Sequence, residues 1–254
     1  MLKVLLKKII SVKTREFIRR QYYKILSTAY KGDNYYCICC DRSFKSFLEH
    51  GNIPRKNAKC PYCRSLERTR LLNHYLLNET DVFFGEKKLL HFAPEYQLGE
   101  NLRKALKTNY LSVDIRKGVA DEVQDIQDLS FSDNTFEYII CSCVLGHIPN
   151  EAKAIDEMFR VLKPNGKAFI ITLINFQSNK TYQNDSIKTP EDKLKHYTED
   201  DLCRLHGKDF IERLNRSNVH VKEIEYSSAF STSEKLKFSL GNTERELIYL
   251  VTKN

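Results

Sequence analysis

Short apolar runs alternate with helix-like segments over residues 87–171. An apolar run covers residues 88–95, a helix-like segment follows over residues 99–107, and a second apolar strand spans residues 110–114. A third apolar run closes the segment 125–141, and a further helix and strand complete the stretch. Buried strands that alternate with helices, with turn residues between them, predict a parallel α/β sheet.

Three of these strands end in polar or reactive side chains, at His91, Asp114 and Cys141. Ligands of open α/β sheets bind beyond the carboxyl ends of the strands, so we place the candidate site at this edge. His147 follows the third strand closely and is the best candidate for a general base, because histidine exchanges protons near neutral pH. A local packing role for His147 is the alternative.

The connection after the last of these strands, residues 175–197, is polar and lacks apolar periodicity. A connection of that length is uncommon in a compact domain, and we interpret it as a lid over the substrate that accepts the transferred group, called the acceptor below. Candidate acceptor-site residues within it are Tyr182, His196 and Tyr197.

The last part of the chain predicts two short helices and two strands. Thr198 is placed as the cap of a helix over residues 199–205, and a second helix follows over residues 209–215. Apolar alternation then predicts strands over residues 219–226 and 246–252.

The N-terminal residues 1–30 predict a basic amphipathic helix. Apolar residues recur at spacings of three and four with lysines and arginines between them, and neither glycine nor proline interrupts the pattern. Such a helix can pack its apolar stripe on the protein, lie on an anionic membrane surface or bind nucleic acid. All three alternatives stay open at this point.

Four cysteines, Cys37, Cys40, Cys60 and Cys63, form a C-x2-C-x19-C-x2-C arrangement. Two such pairs can present four thiolates to one tetrahedral ion, so we predict a closed structural zinc site. Zinc binding contributes on the order of 10–16 kcal/mol in peptides of this kind. Cys39 is left as a spare thiol. The apolar residues expected under the metal are Phe44, Phe47, Leu48 and Ile53.

The segment after the cysteines predicts a helix with Ser65 as its cap, which joins the zinc module to the next domain without a flexible linker. We therefore expect the module to be docked. Arg64, Arg68 and Arg70 could line a substrate channel, but a solvated helix face is the favoured interpretation. The predicted division is residues 1–30 as the helix, 31–70 as the module and 71–254 as the catalytic domain.

The composition, with 29% charged and 41% hydrophobic residues in 254, is ordinary for a soluble globular protein. The net charge of +8 is concentrated in the first 70 residues, and the remainder is net acidic. Apolar runs are too short for a spanning helix, and no signal-peptide pattern is recognisable. Reduced, paired cysteines and these features predict a cytoplasmic protein, with peripheral contact at the inner membrane face if the first helix lies on lipid.

Three motifs are specific in combination. Residues 125–138 read Asp-Ile-Gln-Asp-Leu-Ser-Phe-Ser-Asp-Asn-Thr-Phe-Glu-Tyr, residues 144–148 read Val-Leu-Gly-His-Ile, and residues 160–166 read Arg-Val-Leu-Lys-Pro-Asn-Gly. From about residue 71 onward the chain resembles the class I S-adenosylmethionine-dependent methyltransferases, in the branch that includes many small-molecule methyltransferases. It departs from that family at residues 91–96, His-Phe-Ala-Pro-Glu-Tyr, where the family usually has an acid and Gly-x-Gly-x-Gly.

The resemblance implies a Rossmann-like, mostly parallel seven-stranded sheet with helices on both faces and an antiparallel final strand pair. It implies S-adenosylmethionine as the cofactor. By family position, Asp114 would accept hydrogen bonds from the two ribose hydroxyls, with Ile115 beside it. Asp125 would accept from the adenine amino group, and the Ile126 backbone N–H would donate to a ring nitrogen.

The resemblance also places the departing first motif along the methionine part of the cofactor. His91 stands where the family often has a supporting acid, and Ala93 stands at a glycine position of the turn. Glu95 would hold the ammonium group, and Cys141 would lie near the reacting methyl.

We therefore predict a zinc-containing methyltransferase that transfers a methyl group to oxygen or nitrogen of a small molecule or sugar. A lipid-linked sugar would give the N-terminal helix a role. The alternatives are an RNA methyltransferase, which would bind RNA through the zinc module and the basic N-terminus, and a non-catalytic scaffold. A dehydrogenase fits poorly, because no G-x-G-x-x-G follows the first strand.

Overall fold

The computed structural model describes residues 11–241 and 246–254. Its main strands and helices largely follow the hydrophobic pattern of the sequence. The central strands are β5 (Leu89–Phe92), β6 (Tyr110–Asp114), β7 (Glu122–Val123), β8 (Phe136–Ser142), β9 (Leu162–Ile171), β10 (Val219–Ile224) and β11 (Ile248–Lys253). The helices are α1 (Val12–Thr28), α2 (Glu67–Asn78), α3 (Tyr96–Leu106), α4 (Glu151–Val161), α5 (Pro190–Tyr197), α6 (Phe210–Leu214) and α7 (Thr232–Phe238).

The seven strands form one sheet in the order β10-β11-β9-β8-β5-β6-β7. The pairs from β7 to β9 are parallel, whereas β11 runs antiparallel to both β9 and β10. The predicted mostly parallel sheet and its antiparallel final pair are thus confirmed. Strands β6 and β7 are added on one side of β5, and β8 and β9 on the other. This change of side forms the crevice where ligands of such sheets bind.

Helices cover both faces of the sheet, as predicted. The alternation of side chains along β8 shows it: Ile139 belongs to the apolar cluster under α4 and α6, whereas Ile140 belongs to the cluster under α2 and α3. Helix α4 contributes Met158 and α3 contributes Leu102, both fully buried. The predicted boundary at residue 70 lies within α2, so this helix joins the cysteine-rich part to the sheet.

Two short antiparallel hairpins carry the cysteine-rich part. They pair β1 (Tyr35–Cys37) with β2 (Arg42–Phe44) and β3 (Leu48–His50) with β4 (Arg55–Lys59). Phe44 and Phe47 are buried beneath the cysteines as predicted, but Ile53 is 58% exposed in the β3–β4 turn. A hairpin this small has too little interior to bury every apolar residue of its sequence.

Hydrogen bonds of a buried arginine and of a serine with backbone carbonyl groups dock the cysteine-rich part on the rest of the molecule. Arg70 is fully buried and donates to the carbonyl oxygens of Ser65, Ala58 and Ser239. The Ser239 hydroxyl donates to the Asn57 carbonyl at 2.6 Å. The prediction of a docked module agrees with these contacts, whereas the favoured solvated arginine face is wrong for Arg70, which satisfies carbonyl groups between the two parts.

Helix α1 does not bury its apolar stripe against the described part of the protein, as the packing alternative would require. Phe17, Ile18, Tyr22 and Ile25 are 62%, 53%, 58% and 73% exposed. The inward side is polar and aromatic instead, with an ion pair between Glu16 and Arg64. The apolar residues predicted before Ser11 lie outside the described residues. Within the described part of the chain, none of the helices has the length and apolar character needed to cross a membrane.

The long connection after β9 is more ordered than predicted. Its second half forms α5, and residues 199–205 form no helix, so that prediction is wrong. Thr198 ends α5 with a left-handed φ of 70° instead of starting a helix. Isolated bridges pair Ile174 with His206 and Tyr182 with Leu205, which fastens the connection to the following loop.

Candidate functional site

The four predicted metal ligands come together. The sulfur atoms of Cys37, Cys40, Cys60 and Cys63 all lie within 4.8 Å of one another. The Cys37–Cys63 sulfur distance is 3.5 Å and the Cys40–Cys60 distance is 3.9 Å. A tetrahedral zinc ion with zinc–sulfur bonds of about 2.3 Å holds its sulfurs about 3.8 Å apart, so the cluster fits the ion. The same distances are far longer than a disulfide bond of about 2.05 Å.

Ser65 does not cap α2, although the sequence pattern predicted it would. The N-cap is Leu66, without a side-chain hydrogen bond. The Ser65 hydroxyl instead lies 3.2 Å from the sulfurs of both Cys37 and Cys63. Hydroxyl donors to ligating sulfurs orient the ligands and tune the metal, so Ser65 is a supporting residue that the capping pattern concealed. Cys39 lies outside the cluster, with its sulfur 3.7 Å from the Thr69 carbonyl.

The loop after β5 makes the tight turn expected of the first motif without using a glycine. Ala93 has a left-handed φ of 44°, and its N–H donates to the Val113 carbonyl at 2.8 Å. Cys143, after β8, also has a left-handed φ, of 53°. Strained backbone of this kind clusters at functional sites, and both residues lie at the carboxyl edge of the sheet.

Replacing Ala93 with glycine should stabilise the fold by up to about 1 kcal/mol. Glycine adopts a positive φ freely, and this relief exceeds the greater entropy that glycine gives the unfolded chain. Urea unfolding of the A93G variant and the wild type measures the difference. An equally large loss of stability would show that the turn is not under backbone strain.

A buried hydrogen-bond chain supports this turn. His91 lies within reach of the Tyr110 hydroxyl through Nδ1 and of Glu95 Oε2 through Nε2, at 3.0 and 3.2 Å. The Ser142 hydroxyl donates to Glu95 Oε1 at 2.7 Å. Burial alone would raise the pKa of Glu95, but the His91 hydrogen bond and nearby positive charge lower it below its usual value. Glu95 is therefore a held carboxylate between the ends of β5 and β8.

Asp114 ends β6 and is 6% exposed. Its Oδ1 accepts from Arg116 N–H and Nε at 2.8 and 3.0 Å, and its Oδ2 accepts from Arg116 Nη2 at 3.0 Å. Burial opposes ionisation, but these bonds hold the pKa of Asp114 below its ordinary value. Both oxygens that the resemblance assigns to the ribose thus bind Arg116, whose side chain is 71% exposed and can swing away.

Replacing Arg116 with alanine should strengthen binding of S-adenosylhomocysteine by up to about fivefold. An exposed arginine contributes at most about 1 kcal/mol to such a pair, and a ligand diol must displace it. Titration calorimetry of the R116A variant checks this. Binding that weakens by tenfold instead would show that Arg116 contacts the ligand.

The remaining predicted cofactor residues differ in accessibility. Asp125 accepts from the Gln127 backbone at 2.9 Å, and Ile126 beside it is buried. Ile115 is 66% exposed after β6. Cys141 is fully buried in β8, and burial raises the pKa of its thiol far above the usual value. A thiol of this kind packs in the core and is not a nucleophile.

His147 lines a cavity of about 510 Å³ beyond the ends of β8 and β9. Its Nδ1 lies 3.2 Å from Asp201 Oδ1, and its side chain is 35% exposed. The opposite wall comes from the cysteine-rich part, with His50, Asn52 and Arg55. The cavity is therefore bounded jointly by the sheet and by the β3–β4 hairpin.

The predicted lid residues do not line that cavity. Tyr197 is buried, and its hydroxyl meets the backbone of Asn184. Tyr182 packs its ring on those of His196 and Tyr197. The loop after α5 supplies the rim instead, through Glu199, Asp200 and Asp201.

Sequence reasoning missed a buried network beside the cavity. His206 Nδ1 lies 2.9 Å from the Thr172 hydroxyl, and Nε2 lies 2.6 Å from Glu151 Oε1. Arg213 pairs with the other Glu151 oxygen. Thr172 and His206 reach the cavity, whereas Glu151 is 3% exposed. Nothing in the local pattern marked these residues, because they meet only through the fold.

A larger cleft of about 1130 Å³ lies between α1 and the loops after β5 and β6. Glu95, Tyr96 and Arg116 line it on the sheet side, and Glu16 and Arg20 line it from α1. The predicted cofactor residues Glu95 and Asp114 thus lie at or next to this cleft, Asp114 through Arg116.

The sequence profile of the methyltransferase domain family matches residues 91–170. A "Ubiquinone/menaquinone biosynthesis C-methyltransferase UbiE" of Rickettsia felis is 31% identical over 70 residues, which are 28% of each chain. An uncharacterised protein of Methanocaldococcus jannaschii is 33% identical over 79 residues, covering 29% of this chain and 35% of that one. The chain thus matches about a third or less of the length of these relatives.

Among solved structures, an S-adenosylmethionine-dependent methyltransferase from Mesorhizobium loti is similar, with a TM-score of 0.48 and 11% identity. The match covers 66% of this chain and 92% of that one.

Proposed function

We propose that this chain, which carries a class I S-adenosylmethionine-dependent methyltransferase domain, transfers a methyl group to oxygen or nitrogen of a small-molecule or sugar acceptor. The observation that carries the proposal is Asp114, a buried carboxylate at the end of β6 in a sheet of the expected strand order. Glu95 follows the neighbouring strand β5, and Ser142 ends β8 on the other side of β5, so the polar groups converge at one edge.

The chemistry asks little of the protein beyond positioning. S-adenosylmethionine, when bound, supplies a methyl group on a sulfonium that is already a good electrophile. Asp114 would hold the ribose, and Glu95 would receive the ammonium group through its charge. The linings of the two cavities share His50 and Leu66, and Arg68 of the smaller cavity lies 3.9 Å from Glu95 of the larger. An acceptor in the smaller cavity would therefore lie next to the cofactor cleft, and orientation alone can contribute several kcal/mol to catalysis.

His147 is the proposed base for a hydroxyl acceptor. Its imidazole borders the acceptor cavity, and the charge of Asp201, 3.2 Å from Nδ1, would stabilise the imidazolium formed on accepting the proton. An amine acceptor that is already neutral needs no base. The four cysteines would hold a zinc ion with a structural role, because all four positions of the tetrahedron are filled by protein.

Formation of S-adenosylhomocysteine, measured by mass spectrometry across sugars, phenols, amines and RNA, tests the proposal. With the acceptor found, the H147N variant should lower kcat by about a hundredfold and leave cofactor affinity unchanged. His220 is exposed at the far sheet edge, so H220N is the matched control. A turnover restricted to RNA would contradict the proposed acceptor class, and no turnover with any class would favour a scaffold.

A carbon acceptor is the second candidate, because the matched Rickettsia relative is named a C-methyltransferase. Methylation of an aromatic carbon also requires a proton to leave, and His147 would serve there too. The two products have the same mass, so the NMR chemical shift of the transferred methyl group separates carbon from oxygen methylation.

A further inference from the structure

Arg68 lines the smaller cavity, which also contains His147 and is called the acceptor cavity here, and within residues 11–241 and 246–254 it has an unpartnered hydrogen-bond donor. Its side chain is 18% exposed, and its buried Nε makes no hydrogen bond with any described residue. The nearest carboxylate oxygen, Glu95 Oε1, lies 3.9 Å away, beyond hydrogen-bond distance. A guanidinium carries five N–H donors, and a buried donor without a partner costs about 1–3 kcal/mol. Such a group in a native fold indicates an absent partner.

The other arginines of the same cavity have hydrogen-bonded protein partners. Arg204 is 2% exposed and donates to Gln183 and to the carbonyls of Leu145, Ile148 and Pro149. Arg55 donates through Nε and Nη2 to the two oxygens of Glu67. Among the arginines that line the cavity, Arg68 is therefore the one whose buried Nε has no partner in the described part of the chain, and it stands at the start of α2, next to the cysteine-rich part.

We propose that Arg68 binds an anionic group, a phosphate or carboxylate, in the cavity between the β3–β4 hairpin and the ends of β8 and β9. The site rests on the proposed function and assigns an anionic acceptor to it. Because Arg68 lines the cavity that holds His147 and Cys143, and not the larger cleft, the acceptor is the favoured source of the anion. Phosphate and carboxylate match the planar fork of a guanidinium in two-point contact.

The cysteine-rich part acquires a role in this arrangement. His50, Asn52 and Arg55 stand on the hairpin opposite His147, so the acceptor would lie between the two parts. The acids Glu199, Asp200 and Asp201 occupy the outer rim. An acceptor with its anion toward Arg68 and hydroxyl or amino groups toward the rim complements this charge pattern, as a sugar phosphate does.

Inorganic phosphate is the probe for the anion site, with sodium chloride at matched ionic strength as the reference. Phosphate should bind the wild type and raise its melting temperature. The dissociation constant of phosphate, obtained from the dependence of the melting temperature on phosphate concentration, should be larger by tenfold or more in the R68Q variant. Arg216 is 30% exposed, pairs with Asp156 and lines neither cavity, so R216Q is the matched control. R68K separates loss of charge from loss of two-point contact, because lysine keeps the charge alone.

A second titration distinguishes the sources of the anion. S-adenosylhomocysteine carries a carboxylate, and 5′-methylthioadenosine lacks it. If R68Q loses phosphate protection and binds both nucleosides normally, the acceptor supplies the anion. If R68Q weakens only S-adenosylhomocysteine, the carboxylate of the cofactor does. Unchanged phosphate and nucleoside binding in a folded R68Q variant would overturn the proposal. Because these readouts need no turnover, they stand even if the methyl-transfer proposal fails.

The outer side of α1 carries a second inference independently. Phe17, Ile18, Tyr22 and Ile25 fall within one arc of the helix, and no described residue covers them. Three basic residues flank this arc, Lys13 and Lys24 on one side and Arg19 on the other. Their stems can follow the apolar surface while the charges reach anionic headgroups.

We infer that α1 lies on an anionic membrane surface with this arc inserted. Its inner side, with Glu16 and Arg20, borders the larger cleft. A membrane-bound α1 would therefore hold that cleft close to the lipid headgroups. RNA binding is disfavoured, because four large apolar side chains occupy the centre of the exposed side and the cations only its borders.

Sedimentation with vesicles of phosphatidylcholine alone, or with one third phosphatidylglycerol, tests the membrane contact. The anionic vesicles should bind the wild type, and the F17S/I25S variant should bind at least tenfold more weakly. Phe84 is 62% exposed, the same as Phe17, so F84S is the matched control. Equal binding of all three proteins, no binding at all, or binding to single-stranded RNA in place of vesicles would overturn the inference.

Discussion

Replacing Cys60 with serine should abolish zinc binding and unfold the two hairpins of the cysteine-rich part. Cys60 is fully buried, and its sulfur lies 3.9 Å from that of Cys40. A structural zinc ion contributes on the order of 10 kcal/mol, more than a piece with so small an interior gains from burial. The measurements are zinc content by mass spectrometry and hydrogen exchange of residues 35–63, which should lose protection.

Cys39→Ser is the matched control for the metal site. This thiol lies between the ligands Cys37 and Cys40, is 6% exposed and has its sulfur 3.7 Å from the Thr69 carbonyl. The variant should retain one zinc per chain. Loss of zinc from Cys39→Ser together with retention in Cys60→Ser would contradict the assigned ligand set.

Replacing Asp114 with alanine should weaken S-adenosylhomocysteine binding by about a hundredfold. Two charge-assisted hydrogen bonds to a ribose diol contribute on the order of 3 kcal/mol together. The fold should survive, because the partner Arg116 is 71% exposed and is hydrated once released. Titration calorimetry measures the affinity. Asp133→Ala, which removes an acid from the Arg160 ion pair outside both cavities, should bind like the wild type.

The strands of the sheet and the metal ligands could be predicted from the sequence because their signals are local. The strand 110–114 was predicted with its observed bounds, since a turn precedes it and an acid ends it. Two C-x-x-C pairs likewise predict a tetrahedral metal site, and this prediction does not depend on the fold.

Other features depend on what the fold brings alongside. Residues 199–205 were predicted to form a helix, but residues 199–201 form a bend and a turn, and Leu205 bridges to Tyr182 of the connection after β9. Ser65 precedes a helix as a cap would, and tertiary contact with two sulfurs redirects its hydroxyl. The apolar stripe of α1 was compatible with packing on the protein and with exposure, because periodicity shows that a stripe exists but does not show what covers it.

The site shows the same division. The sequence placed Asp114 and His147 at strand ends, where parallel strands must bring their carboxyl termini together. It could not show that Arg116 covers Asp114, that Asp201 accompanies His147, or that the β3–β4 hairpin walls the cavity. Arg116 lies only two residues from Asp114, but the direction of its side chain is set by the fold. The other two pairings join residues about 50 to 150 positions apart and leave no periodic trace.

The most direct test of the central claim is calorimetric titration of the zinc-loaded, folded chain with S-adenosylhomocysteine, beside the Asp114→Ala variant. The account predicts binding in the micromolar range for the wild type and about hundredfold weaker binding for the variant. Absence of binding to the wild type, or equal binding to both proteins, would contradict a cofactor site at the carboxyl edge of β5 and β6.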